Sequence, residues 1–135
     1  ELLGNWYGQS LKQSGYAAAF DVVIPVPLHK SKLRKRGYNQ SEYYAKGLAN
    51  ALDIELNSSC IKRTSNSSTQ TSKNRLERWE NVDKIFTVTD ATAVKGKRVL
   101  LVDDVITTGA TLEACATALI EAGCAEISIG AIAAA

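Results

Sequence analysis

Arg98-Val99-Leu100-Leu101-Val102 runs straight into Asp103-Asp104-Val105-Ile106-Thr107-Thr108-Gly109-Ala110-Thr111, and the order of these residue types decides the architecture. Four consecutive aliphatic residues predict a strand buried on both faces, as parallel sheets require. Asp103 to Ala110 reads as a polar, glycine-containing turn. Beyond it Leu112, Cys115, Ala116, Leu119 and Gly123 make one helix face, and Ile127 to Ile132 reads as a closing strand. Strand, helix and strand with short connections predict a parallel βαβ unit with a right-handed crossover.

The upstream sequence has the same grammar. Asp21-Val22-Val23-Ile24-Pro25-Val26-Pro27 is an apolar, β-branched run stopped by two prolines, a buried strand whose end cannot extend a ladder. Asn39 and Glu42 resemble a capping box opening a helix with Ser41, Tyr44, Ala45, Leu48 and Leu52 on one face. Leu3, Trp6, Tyr7 and Leu11 predict an earlier amphipathic helix over 2–14, ended near Gly15. Short strands are expected at 54–56, 60–63 and 85–88, with a turn at Lys95-Gly96-Lys97. The run from Thr64 to Asn74 has no apolar anchor and is expected to be a mobile loop, after which Leu76 and Trp79 give one helical turn something to pack. No internal repeat is visible, so residues 1–135 read as a single three-layer α/β domain.

Composition agrees with that reading. The 135 residues suit one hydrophobic core, and 45% apolar with 22% charged residues excludes a disordered chain or a collagen-like repeat. The longest apolar runs, 16–20 and 129–135, fall far short of the roughly 20 residues needed to span a bilayer. No basic start followed by an apolar core marks a signal peptide. Cys60, Cys115 and Cys124 are odd in number and lack CxxC spacing, which predicts small core residues of a reduced, cytoplasmic protein. The chain contains no methionine, so an upstream region is expected.

The net charge of +2 hides an uneven distribution. No acidic residue lies between Asp21 and Glu42, whereas Lys30, Lys32, Arg34, Lys35 and Arg36 all do, giving that segment +5 and the remainder −3. A basic loop on a mildly acidic body suggests an anion site, although most charge runs are simply solvated surface.

Ligands of open α/β sheets bind outside the carboxyl ends of strands, which places the chemistry at Val102 to Thr111. Two adjacent carboxylates there need a partner, such as sugar hydroxyls or a hydrated Mg²⁺. Thr107 to Thr111 offers hydroxyls and successive N–H groups, and Gly109 lets the chain turn into a helix N-terminus, a nest for phosphate. Three alternatives compete for the same residues. A Walker B strand would need a GxxxxGK[ST] loop, which the sequence lacks. A phosphoacceptor receiver domain would need most of its sheet after this strand. A plain strand-to-helix turn would use fewer specialised residues than the acidic pair, Thr-Thr-Gly and Thr111 supply.

Val99 to Thr111 resembles the phosphoribosyl-pyrophosphate (PRPP) loop of type I phosphoribosyltransferases. Within them the chain is most similar to the ComF-like family, the competence-protein-F or amidophosphoribosyltransferase-like group. The supporting stretches are Val23-Ile24-Pro25-Val26-Pro27-Leu28-His29, Arg36-Gly37-Tyr38-Asn39-Gln40, and Gln70 with Arg75, Arg78 and Asn81. The resemblance runs from about residue 21 to the end. It implies a mostly parallel central sheet flanked by helices, with a mobile lid loop. Two departures stand out: the N-terminal four-cysteine zinc module common in that family is absent from this sequence, and Lys73 stands where many relatives have an apolar residue.

The resemblance implies roles by position. Asp103 and Asp104 would hold the ribose 2- and 3-hydroxyls and Mg²⁺, directly or through water. Thr107, Thr108, Gly109, Ala110 and Thr111 would cradle the 5-phosphate. Pro25, Val26 and Pro27 occupy the place of the pyrophosphate loop, where backbone amides are presented. Residues from Thr64 to Asn81 match the catalytic lid, with Lys73, Arg75 and Arg78 as candidates to stabilise departing pyrophosphate; the alternative for Arg75 and Arg78 is a solvated helix surface. Lys30 and Lys32 are the second choice for that task. His29 is a candidate general base. The acceptor would be chosen by a hood drawing on His29 to Tyr38, with Tyr38 stacking on it or simply packing at the helix entrance.

The implied activity is Mg²⁺-dependent transfer of phosphoribose from PRPP to a small nitrogen nucleophile, a nucleobase or an amine, or the reverse. The alternative is a PRPP- or nucleotide-sensing module that contacts single-stranded DNA through the basic loop in competence or DNA uptake. Against DNA, Leu33 is the only apolar residue from Lys30 to Arg36, so the interleaved aromatics of a stacking platform are missing from that run. No membrane partner is expected, and a dimer is one option for the assembly.

Overall fold

The computed structural model describes residues 2–28, 33–35, 37–64, 85–106 and 108–134. In chain order the helices are α1 (Leu2–Gln13), α2 (Gln40–Leu52) and α3 (Ala110–Glu121). The strands are β1 (Val22–Pro25), β2 (Glu55–Leu56), β3 (Ile61–Arg63), β4 (Phe86–Val88), β5 (Arg98–Ile106) and β6 (Glu126–Ala134), with 3₁₀ turns at Tyr16–Ala19 and Ala91–Ala93. Four strands form a parallel sheet ordered β2-β1-β5-β6, and β3 pairs antiparallel with β4 beside it.

Alternation along β1 and β5 builds two cores. Val22, Ile24, Val99 and Leu101 face one way, where Leu112, Cys115 and Leu119 of α3 and Ile61 and Phe86 of the β3–β4 hairpin cover them. Val23, Leu100 and Val102 face the other way, onto Tyr44, Ala45, Leu48 and Leu52 of α2. Each fully buried aliphatic side chain contributes about 1.5–3 kcal/mol. The sheet is thus a filling between helices, the three-layer α/β arrangement expected. The predicted face of α2 is buried throughout, Ser41 included.

Three expectations about elements need correction. The α1 helix packs chiefly through Gly4 and Gly8; of its predicted face Leu11 meets the core and the half-exposed Tyr7 stacks on Tyr44 with ring centroids 6.4 Å apart, while Leu3 and Trp6 remain exposed. The reason is steric: a Cβ on Gly4 would fall on the Tyr44 carbonyl oxygen, and one on Gly8 would lie 2.5 Å from Ala51 Cβ. Bare glycine backbone lets α1 lie directly on α2, which a larger side chain would prevent. Secondly, β5 continues through Asp103-Asp104-Val105-Ile106, because β6 pairs with it as far as Ile106↔Ala134. The acidic pair therefore lies within the strand and not in a turn after it. Thirdly, Gly123 lies beyond the end of α3, with φ +99, and not on the helix face.

Cys60 and Cys115 are buried core residues, as expected, and all three cysteines are free. Burial pushes the Cys115 thiol up to about 12. No helix among the described residues is long and apolar enough to cross a membrane. Residues 65–84, which hold most of the expected lid, lie outside the described residues.

Candidate functional site

The carboxyl edge of the sheet is organised by the start of α2. Asn39 caps that helix, its side-chain oxygen accepting from the Ser41 N–H at 3.0 Å, and its Nδ2 donates to the Val26 carbonyl at 3.2 Å. Ser41, 3% exposed, donates its hydroxyl to Asp103 Oδ1 at 3.0 Å. The helix is thus stitched to the ends of β1 and β5 by consecutive polar contacts. Neither Asn39 nor Ser41 stood out as a site residue in the sequence. A serine on an otherwise apolar stripe was the available signal.

Asp103 Oδ1 also accepts the Asp104 N–H at 2.8 Å, and Asp104 Oδ1 accepts the Val105 N–H at 2.8 Å. Among the described residues no cation pairs with either carboxylate. Burial raises Asp103 above the usual carboxylate range, with neighbouring Asp104 adding to the shift, while hydrogen bonds from Asp104 and Ser41 oppose it. Hard carboxylate oxygens of this kind suit Mg²⁺, which binds through one or two carboxylates and completes its octahedron with water and substrate phosphates. No cluster of three or more ligating side chains occurs among the described residues, so Mg²⁺ would depend on such added oxygens.

Next to the acids the chain turns into α3. Gly109 has φ +81, a left-handed conformation that glycine adopts without strain, and the Thr108 hydroxyl accepts the Ala110 N–H at 3.2 Å. Asp103, Thr108, Gly109 and Thr111 border a small cleft of about 40 Å³. Of the residues expected to cradle the phosphate, Thr108, Gly109 and Thr111 border this cleft, Ala110 lies between them in the chain, and Thr107 lies outside the described residues.

Pro25, Val26 and Pro27 do sit at the exit of β1, beside the acidic pair. The amides expected of them are not free: both prolines lack an N–H, and Val26 N–H donates to the Val102 carbonyl at 2.8 Å. Amides facing an anion would have to come from Leu28 onward. His29, Lys30, Lys32, Lys73, Arg75 and Arg78 fall outside the described residues. Tyr38 packs at the entrance to α2, edge-on to Tyr43 with ring centroids 5.7 Å apart, and both rings stay partly exposed. The Lys46 ammonium lies 5.9 Å from the Tyr43 ring. Sequence spacing gave no hint of this aromatic pair, because its members lie on either side of the helix cap.

Comparison with known proteins accounts for this arrangement. Residues 39–135 match the family described as phosphoribosyl transferase domain. Competence protein F of Haemophilus influenzae is 34% identical over 110 residues, 81% of this chain and 48% of that protein. The DNA utilization protein YhgH of Escherichia coli O157:H7 is 32% identical over 109 residues, 81% of this chain and 47% of that protein. The chain thus spans about half the length of these curated relatives. Among solved structures, the glutamine PRPP amidotransferase of B. subtilis complexed with ADP and GMP superimposes with a TM-score of 0.68 at 27% identity, covering 96% of this chain and 26% of that one. Motif and fold agree with that match: the chain belongs to the phosphoribosyl transferase domain family.

Proposed function

We propose that this domain binds PRPP with Mg²⁺ and transfers its phosphoribosyl group to a nitrogen nucleophile, releasing pyrophosphate. The observation that carries this reading is the Asp103–Asp104 pair. It lies without a cation partner among the described residues, next to a threonine-glycine turn that opens a helix. Ribose hydroxyls suit the carboxylates, and the 5-phosphate suits Thr108 to Thr111 at the positive end of α3.

The residues of the chain would work mainly by positioning. Ser41 and the Asp104 amide hold Asp103 in one orientation, so that its free oxygen faces the sugar. Mg²⁺, held by Asp103 and Asp104 with substrate oxygens, would supply charge for the leaving pyrophosphate. Lys73, Arg75 and Arg78 are the proposed lid donors, each worth about 3 kcal/mol of barrier when well placed. Lid closure would exclude water from a sugar carrying developing positive charge.

The test is thermal unfolding with PRPP and Mg²⁺. Binding at a hundredfold excess over Kd adds about 2.7 kcal/mol to stability, roughly 10 °C in Tm for a domain of this size. A melting curve unchanged at saturating PRPP would sink the reading.

A second reading is favoured by one observation. Exposed Tyr38 and Tyr43, with Lys46 beside them and Arg34 and Lys35 on the same approach in sequence, supply the aromatics that the basic run itself lacks. Such a patch suits stacked bases of single-stranded DNA. The expected result is oligonucleotide binding that weakens steeply with salt and is lost in Tyr38→Ala with Tyr43→Ala. Binding that survives both changes would remove the patch from consideration.

A further inference from the structure

On the α3 side of the sheet a cavity of about 390 Å³ opens between the exit of β1 and the β3–β4 hairpin, bordered by Pro27, Leu28, Ile61, Lys62 and Arg63. Its size falls within the range of small-molecule sites, and its walls are mainly hydrocarbon. Ser58, Lys62, Arg63 and Thr64 add polar groups to the lining, and among these Arg63 stands out. Its guanidinium lies over the Phe86 ring at 5.7 Å, and its Nε is the one buried side-chain nitrogen or oxygen among the described residues without a hydrogen-bond partner. No carboxylate pairs with Arg63 or Lys62 among the described residues. Native proteins rarely leave a buried donor unmet, so such a group points to a ligand. The cavity also has a position: Val26 donates to Val102, the residue before Asp103, so its Pro27–Leu28 wall leaves the sheet beside the acidic pair.

We infer that this cavity receives the acceptor, and that the acceptor is an aromatic carboxylate bearing the nucleophilic nitrogen. This rests on the phosphoribosyl-transfer reading above. A planar ring matches the apolar walls, and a carboxylate takes the Arg63 Nε–H and a second guanidinium N–H side by side, with Lys62 adding charge. A diphosphate would draw on the same Lys62 and Arg63 charges, but the Pro27, Leu28 and Ile61 side chains elsewhere in the lining are hydrocarbon and suit a ring better than a second anion. In the transfer, the amine lone pair forms the bond to ribose C1. The C1–oxygen bond breaks and pyrophosphate leaves with that electron pair; an amine nitrogen then gives its surplus proton to water, whereas a pyridine nitrogen has none to give and keeps the positive charge.

The experiment titrates the protein with 2-aminobenzoate against 2-aminobenzamide, and pyridine-3-carboxylate against its amide, with and without saturating PRPP and Mg²⁺. The acids are expected to bind about ten- to a hundredfold more tightly than the amides, the size of a charge-assisted hydrogen bond. Arg63→Gln should erase that preference and Arg63→Lys keep part of it, while the Tm gain from PRPP and Mg²⁺ alone persists in both. Equal binding of acids and amides, or none of either, in protein that still shows the PRPP gain would overturn the acceptor assignment alone. Loss of the PRPP gain itself in folded Arg63→Gln would also overturn it, by giving the cavity to pyrophosphate. If wild-type protein shows no PRPP gain, the parent reading fails and the inference with it. Should Arg63→Gln not fold, the acid–amide difference in wild-type and Arg63→Lys protein decides the question.

Discussion

The two ends of the β1–β5 strand pair treat charge in opposite ways. At the amino end Asp21 accepts from the Arg98 backbone N–H at 2.8 Å, from Nε at 3.1 Å and from Nη2 at 3.0 Å, while Nη1 reaches the Ala18 carbonyl at 2.7 Å. Hydrogen bonding to Arg98 holds the Asp21 carboxyl at about 2. At the carboxyl end Asp103 and Asp104 have a serine hydroxyl and backbone amides for company, no cation among the described residues, and burial that pushes Asp103 upward. A closed pair satisfies itself and clamps two strands. On the function proposed above, the open acidic pair takes its countercharge from a ligand, so the same two strands would carry a structural site and a receptive one, told apart by whether the countercharge is built in.

The sharpest way to break that contrast is to neutralise each end in turn. Asp103→Asn with Asp104→Asn is expected to abolish the Tm gain from PRPP and Mg²⁺, a loss of about 2.7 kcal/mol of linkage at a hundredfold excess over Kd. Asp21→Asn should lower the starting Tm and leave the gain intact. If both variants keep the gain, the acidic pair is not the ligand site. If Asp21→Asn also removes it, the two ends are not independent.

Acid sharpens the comparison from the structural side. The Asp21 pKa is depressed in the folded state, so its contribution is complete above the unfolded value near 3.8 and disappears as pH falls through about 2. The unfolded chain binds more protons in that window, so stability must fall as pH falls. The difference in Tm between wild type and Asp21→Asn should therefore shrink between about pH 4 and pH 2. A difference that stays constant across that window would mean that Arg98 does not hold the carboxylate in solution.

Much of this was legible in the sequence because local pattern and tertiary role coincide there. Ser41, Tyr44, Ala45, Leu48 and Leu52 repeat at helical spacing and are all buried; Val99 to Val102 are apolar on both faces and lie between helices. The family match likewise extends over residues 39–135. What escaped has a common cause. Gly4 and Gly8 register as breaks in an apolar face, yet it is their bareness that seats α1 on α2. The extension of β5 past Asp103 depends on the length of its partner β6. Arg63 reads as an exposed cation on a short strand until the cavity beside it is visible. Each is decided by a neighbour distant in sequence, which periodicity cannot register.

The smallest expected effect tests how the receptive end is held. Ser41 touches no proposed ligand; it acts through Asp103, so it is a positioning residue. Ser41→Ala removes a hydroxyl donor from a part-buried carboxylate and should cost about 1 kcal/mol of stability. A merely structural role would stop there. A positioning role also weakens PRPP and Mg²⁺ binding several-fold, because Asp103 Oδ1 is no longer fixed from the helix side. Combining Ser41→Ala with Asp103→Ala, which removes the acceptor altogether, separates the two. If the hydroxyl works through the carboxylate, the stability losses should fall short of additive by about 1 kcal/mol. Strict additivity, with an unchanged Kd for PRPP in Ser41→Ala, would reduce the serine to a buried hydroxyl that happens to face an acid.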